Sequence, residues 1–233
     1  MSSSRLARKR SPRQTWLGRR GTRDARSACM RSLSIAALVA SLAVFGMRGD
    51  AAPLATDRYG HMHMLFEKTW FGIDVARVDV WFDQATRDRF RELAAGQRYS
   101  DQVAERIART ALQAQDVDVR VEFLRDVSIR EFYDAARDNL VRARNAGYIS
   151  KDTFAIAWRG VQTDFAPLAK RGLEEGDRLI YRARVDSLQT IVMSGNRVLL
   201  DVTSHDLGAR RSMIASYFAP RSDFRKGLIK SLF

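Results

Sequence analysis

Cysteine is almost absent: the chain of 233 residues has one, Cys29. It precedes the apolar stretch Leu33–Met47, so it cannot be the lipid-bearing cysteine of a lipoprotein signal, which must follow such a stretch. A chain processed beyond that stretch would hold no cysteine at all. That excludes disulfides, a thiolate nucleophile and cysteine-ligated metal, and leaves the hydrophobic core to carry the stability. Long apolar runs are missing too. Leu33–Met47, LSIAALVASLAVFGM, is uncharged for 15 residues, short of the roughly 20 that a membrane span needs. Acidic residues are scarce at the N-terminus. Residues 1–55 carry 11 basic side chains and 2 acidic ones; of the 40 and 27 in the whole chain, 29 and 25 remain for residues 56–233. The net charge of +13 is thus mainly a property of the first quarter, and the rest is nearly balanced. This argues against a nucleic-acid partner for the folded part.

Standard catalytic motifs are also missing. There is no G-x-S-x-G, no P-loop and no dinucleotide-binding glycine pattern. The three histidines are His61, His63 and His205. His61-x-His63 puts two imidazoles on one strand face, which could ligate zinc with His205. The alternative is an ordinary strand start, and no acidic or second-layer support favours metal. His205-Asp206 reads as a strand end followed by a helix N-cap. No catalytic residue, metal site or cofactor is assigned.

What is present begins with a targeting pattern. Arg31, the apolar run, and Asp50-Ala51-Ala52-Pro53-Leu54-Ala55 follow the order of a secretory signal peptide, with cleavage after Ala52 or Ala55. Met30 is an alternative start. The competing reading is an uncleaved inner-membrane anchor at residues 33–47. The expected organisation is a basic extension and signal over residues 1–55 and one domain over 56–233, exported to the periplasm.

In that domain two extended runs meet near Phe71-Gly72. Ala76, Val78, Val80 and Phe82 alternate with Arg77, Asp79 and Trp81, the period of a half-buried strand. A helix over 84–95 and a second one capped by Ser100 follow. Val117, Val119, Val121 and Phe123 mark the clearest strand, and continuing its alternation puts Arg125 on the apolar face. Such a guanidinium needs a partner. It is either in a structural salt bridge, to Asp126 or Asp138, or a cation at the edge of an internal pocket. Ser128-x-x-Glu131 is a capping box opening a helix with Ile129, Phe132, Tyr133, Ala136 and Leu140 on one face. A helix from Ser150 or Asp152 to about Lys170, disturbed by Pro167, comes next. A strand carries Leu179, Tyr181, Ala183 and Val185 inward, and two short strands meet at Ser194-Gly195-Asn196. The stretch from Asp206 is helical and broken near Pro220. No βαβ repeat appears, so the fold class is α+β: an open-faced antiparallel sheet with helices packed on one face.

The order of FGIDVARVDVWFD (71–83), FLRDVSIREFYDAARDN (123–139), Gly176-Asp177-Arg178-Leu179, the Gly195-Asn196 turn and YFAPRSDFRKGLIKSL (217–232) resembles the chalcone isomerase-like superfamily, in its bacterial exported branch. Plant members include chalcone isomerases and fatty-acid-binding proteins. The resemblance implies a cleft between sheet and helices. It places Phe132 and Asn139 where the enzymes carry a catalytic-site Tyr and Asn, and Ser216 near a helix Thr or Ser. Ala76 stands for a strand Thr, and Lys68 is the only cation where the enzymes have an Arg on the first strand. The isomerase set is incomplete. The fatty-acid-binding relatives pair a strand Arg with a helix Tyr around a carboxylate, and Arg125 and Tyr133 are the stand-ins here. The expectation is a noncatalytic exported protein that binds a small apolar carboxylate such as a fatty acid through Arg125, with Tyr133, Phe132, Asn139 and Ser216 around it. It has no nucleic-acid partner and meets the membrane only through an uncleaved signal. The alternatives are an isomerase of chalcone isomerase type and a structural envelope domain without ligand.

Overall fold

The computed structural model describes residues 57–67 and 74–233. The basic extension, the apolar run, Cys29, Lys68 and the Phe71-Gly72 junction lie outside the described residues.

Six strands form one antiparallel sheet in sequence order: β1 (His61–Glu67), β2 (Asp74–Phe82), β3 (Val117–Phe123), β4 (Asp177–Arg184), β5 (Ser187–Ser194) and β6 (Arg197–Ser204). The helices are α1 (Gln84–Ala94), α2 (Asp101–Ala111), α3 (Ile129–Asn145), α4 (Lys151–Asp164), α5 (Leu207–Phe218) and α6 (Arg225–Lys230). Each strand alternates as its sequence demands. Val78, Val80, Phe82, Val117 and Val119 are buried on the helix side. The opposite face is a ladder of cross-strand charges, Arg77 facing Glu122 and Asp79 facing Arg120. Arg77 and Glu122 pair at 3.0 Å, and the Arg120 guanidinium lies 5.4 Å from the Trp81 ring. Such pairs stabilise a sheet face that stays in water. The α+β reading with helices on one face is what the structure shows.

Local signals set most helix ends. The Ser100 side chain caps α2, Ser150 caps α4, and Asp206 caps α5. The capping box is complete: the Ser128 hydroxyl accepts from the Glu131 N–H, and the Glu131 carboxylate accepts from the Ser128 N–H. Asp83 opens α1 and does more than cap it. Its carboxylate accepts from the N–H and hydroxyl of Thr86 and from the Gln115 N–H, each at 2.9 Å. One buried side chain thereby joins the end of β2, the start of α1 and the approach to β3.

Three expectations need correction. Val185 does not extend the inward face of β4. The strand ends at Arg184, and Val185 sits in the two-residue turn to β5, 63% exposed. The helix from Ser150 stops at Asp164, because Pro167 belongs to a separate 3-10 turn, Ala166–Leu168. β3 stops at Phe123, so its alternation does not carry on to Arg125. The chain bends instead, and Val127 makes an isolated bridge with Leu173.

The helices do not cover the sheet evenly. α6 packs on β1 and α5 on β5, while α3 and α4 pack on each other and on α5. Between these last three helices and the sheet a space is left. That gap is where the site lies.

Candidate functional site

The sheet wall of the cavity draws on all six strands, from Phe66, Ala76 and Phe123 to Tyr181, Thr190 and Val202. The last three stand in one cross-strand row. Above them, α3 presents Phe132, Ala135, Ala136 and Asn139, α4 presents Ala157, Gly160 and Val161, and α5 presents Ser212, Met213, Ser216 and Tyr217. The helix residues recur at intervals of three and four, so each helix gives one stripe to the space. Four of them are Ala or Gly, which leaves the space unfilled. The result is a cavity of about 230 Å³, apolar over most of its wall.

Arg125 lines this cavity. It reaches it from the bend after β3, not from a strand face. Its guanidinium donates to the Asp126 carbonyl at 2.6 Å and to the Glu131 carboxylate at 3.3 Å. The partner is therefore neither the Asp126 side chain nor Asp138, but the glutamate of the capping box. Glu131 is held below the usual carboxylate range, first by the Ser128 backbone N–H and then, against a smaller cost of burial, by the Ser128 hydroxyl and Arg125. Arg125 is one-third exposed, so this pair is worth little to stability.

Phe132 lines the cavity, and Tyr133 does not. The Tyr133 hydroxyl donates to the Gln162 carbonyl at 3.2 Å, and its ring meets Trp158 edge-on. The two neighbours lie about 100° apart on the helix, and α4 takes the second. Asn139 and Ser216 line the wall, yet their polar heads serve the scaffold. The Asn139 amide donates to the Ala135 carbonyl and accepts from Arg142. The Ser216 hydroxyl donates to the Met213 carbonyl at 2.7 Å. Four of the five expected site residues thus share one cavity, and Tyr133 is the exception.

Sequence reading missed the polar groups deeper in the wall: Tyr181, Thr190, Tyr217, Ser212 and Asp164. The Tyr181 phenol is raised by burial first and then by the charge of Asp164. Tyr217 is raised well above the ordinary value by burial and then by Tyr181. Burial also raises Asp164. The register of β4 against β5, Tyr181 opposite Thr190, was the available signal.

His61 and His63 stand side by side as read, with ring centroids 5.5 Å apart. His61 pairs with Asp79 at 2.8 Å and stacks on Trp81, with ring centroids 4.8 Å apart. Among the described residues no three His, Cys, Asp or Glu side chains group as metal ligands would.

No family model matches the chain. No curated protein matches it. Among solved structures, a fatty-acid-binding protein of Arabidopsis thaliana aligns with a TM-score of 0.50 at 13% identity, covering 73% of this chain and 84% of that one. Together with the six-stranded open sheet, this likeness shows that the chain has the chalcone isomerase-like fold.

Proposed function

We propose that the chain is an exported, noncatalytic binding protein for a small apolar carboxylate of the fatty-acid kind, held in the cavity between sheet and helices. The observation that carries this reading is charge. Among the described lining residues Arg125 is the one cation, set against Glu131, Asp164 and Asp206 in a wall that is otherwise mostly apolar. An apolar chain gains from burial there, and an anionic head has a single place to go. The guanidinium keeps donors beyond its long contact to Glu131, and a carboxylate can accept two of them side by side. The Arabidopsis protein of the same fold is itself a fatty-acid-binding protein. Phe132 offers no hydroxyl, and the heads of Asn139 and Ser216 are engaged within their own helices and loops. This favours binding over isomerisation.

The test is mass spectrometry of the protein from its native envelope, intact and after denaturing extraction. The expected result is a chain beginning after Ala52 or Ala55 and a fatty acid that is absent from Arg125→Ala. Removing the charge-assisted contact should weaken a fluorescent fatty acid about tenfold to a hundredfold. An empty extract with no binding of that probe refutes the reading and leaves a structural domain. Acceleration of chalcone cyclisation above the spontaneous rate would restore the isomerase. An uncleaved mass would make residues 33–47 an anchor.

A further inference from the structure

The polar groups of the cavity wall are more than a fatty acid requires. Ser212 is 1% exposed, and its hydroxyl has no hydrogen-bond partner among the described residues. The Tyr181 and Tyr217 phenols and the Asp164 carboxylate also lack one among the described residues, although burial acts on all three. Thr190, 5% exposed, stands directly across from Tyr181. Asp164, Tyr181 and Tyr217 line one and the same cavity. Buried polar groups are almost always paired, yet the Ser212 hydroxyl is not, and the phenols, Thr190 and Asp164 line the same cavity. A purely hydrocarbon ligand would satisfy none of them.

We propose that Tyr181, Tyr217, Thr190 and Asp164 form a second anchoring point, for a hydroxyl group along the ligand, so that the preferred ligand is a hydroxylated apolar carboxylate. This rests on the reading of the cavity as a carboxylate site. The chemistry selects a hydroxyl. Two phenols can donate, and an ionised Asp164 can only accept. A hydroxyl does both at once. A carbonyl accepts alone and would leave Asp164 without a partner. A second carboxylate would face Asp164 with no further cation among the described lining residues.

The experiment is calorimetric titration of the full chain with dodecanoate, its hydroxylated isomers, dodecanedioate and dodecanol. At least one hydroxy acid should bind about tenfold more tightly than dodecanoate, the effect of one or two well-made hydrogen bonds. Dodecanedioate should bind no better than dodecanoate. The ratio of hydroxy-acid to dodecanoate affinity should fall to about one in Tyr181→Phe with Tyr217→Phe, which keeps both rings. Tyr181→Phe alone, which should halve the preference or more, serves if the double variant does not fold. Dodecanoate binding without preference for any hydroxy acid overturns the hydroxyl site and spares the carboxylate reading. So does a preference that survives the double variant. Dodecanol binding that depends on the tyrosines, with no acid bound, keeps the hydroxyl site and overturns the carboxylate reading. Binding of none of these probes overturns both.

Discussion

Gly172 stands where the loop that carries Arg125 is fastened, and replacing it tests how that loop is held. Its φ is +75°, a region that costs an L-residue about 1–2 kcal/mol. A Cβ there would lie 2.7 Å from the Val127 carbonyl oxygen, a backbone atom that cannot swing aside. That same carbonyl accepts from the Leu173 N–H at 2.9 Å, while the Val127 N–H donates to the Leu173 carbonyl at 2.7 Å. Gly96 supplies the control. Its φ is +71°, but a Cβ there meets nothing within 4 Å. Gly96→Ala should therefore cost only the backbone term, about 1 kcal/mol once the stiffer unfolded chain is allowed for. Gly172→Ala should cost about 1–3 kcal/mol more, from the collision and the weakened bridge. Urea denaturation of the full chain followed by circular dichroism, with equal slopes for both variants, measures the difference. Because Val127 lies two residues after Arg125, Gly172→Ala should also weaken a fluorescent fatty acid severalfold where Gly96→Ala does not. Equal loss of stability in the two variants would refute the argument that the Val127 carbonyl is in the way.

Two further perturbations test other parts of the fold. Asp83→Asn removes a charged acceptor from four donors and should destabilise by about 1–3 kcal/mol at neutral pH. Burial alone would raise the Asp83 carboxyl, but the Thr86, Asp116 and Gln115 donors outweigh it and the net shift is downward. Its contribution is therefore complete above the unfolded value near 3.9 and lost as pH falls through the lower folded value. The acid limb of a stability–pH profile should be shallower in Asp83→Asn, and an unchanged limb would count against that shift. Gly160→Ala, inside α4 with nothing within 4 Å of the new Cβ, should stabilise the chain by about 1 kcal/mol through helix propensity, read as a higher thermal midpoint.

Sequence reading reached furthest where the cause is local. The Ser128 capping box, the Ser100 and Asp206 caps, the Gly195-Asn196 turn and the inward valines of β2 and β3 depend on residues within a few positions, and all appear as read. It stopped where the cause is a distant partner. The apolar stripe of α3 joins Phe132 and Tyr133, but the helix faces the cavity on one side and α4 on the adjoining side, so the two part company. Arg125 was rightly singled out as needing a partner, and wrongly placed, because nothing in Val117–Phe123 announces that the strand ends there. Tyr181 shows the same limit from the other direction. A period of two marks it as inward, and inward usually means core, but here the inward residue lines a cavity.

The unfilled space itself follows from side-chain size. Ala135, Ala136, Ala157 and Gly160 line the cavity, whereas Phe82, Phe90, Ile107 and Leu228 are completely buried in the core. Were the roughly 230 Å³ sealed and dry, the lost packing would cost on the order of 5 kcal/mol, comparable to the whole stability of a small domain. Water can relieve part of that at the tyrosines, but not along Ala135, Ala136 and Ala157. A chain that buries those large side chains completely could have closed the cavity by enlarging three or four helix residues. The small residues are therefore best explained by an occupant, one that brings apolar surface to the alanines, negative charge to Arg125 and a hydrogen-bonding group to Tyr181.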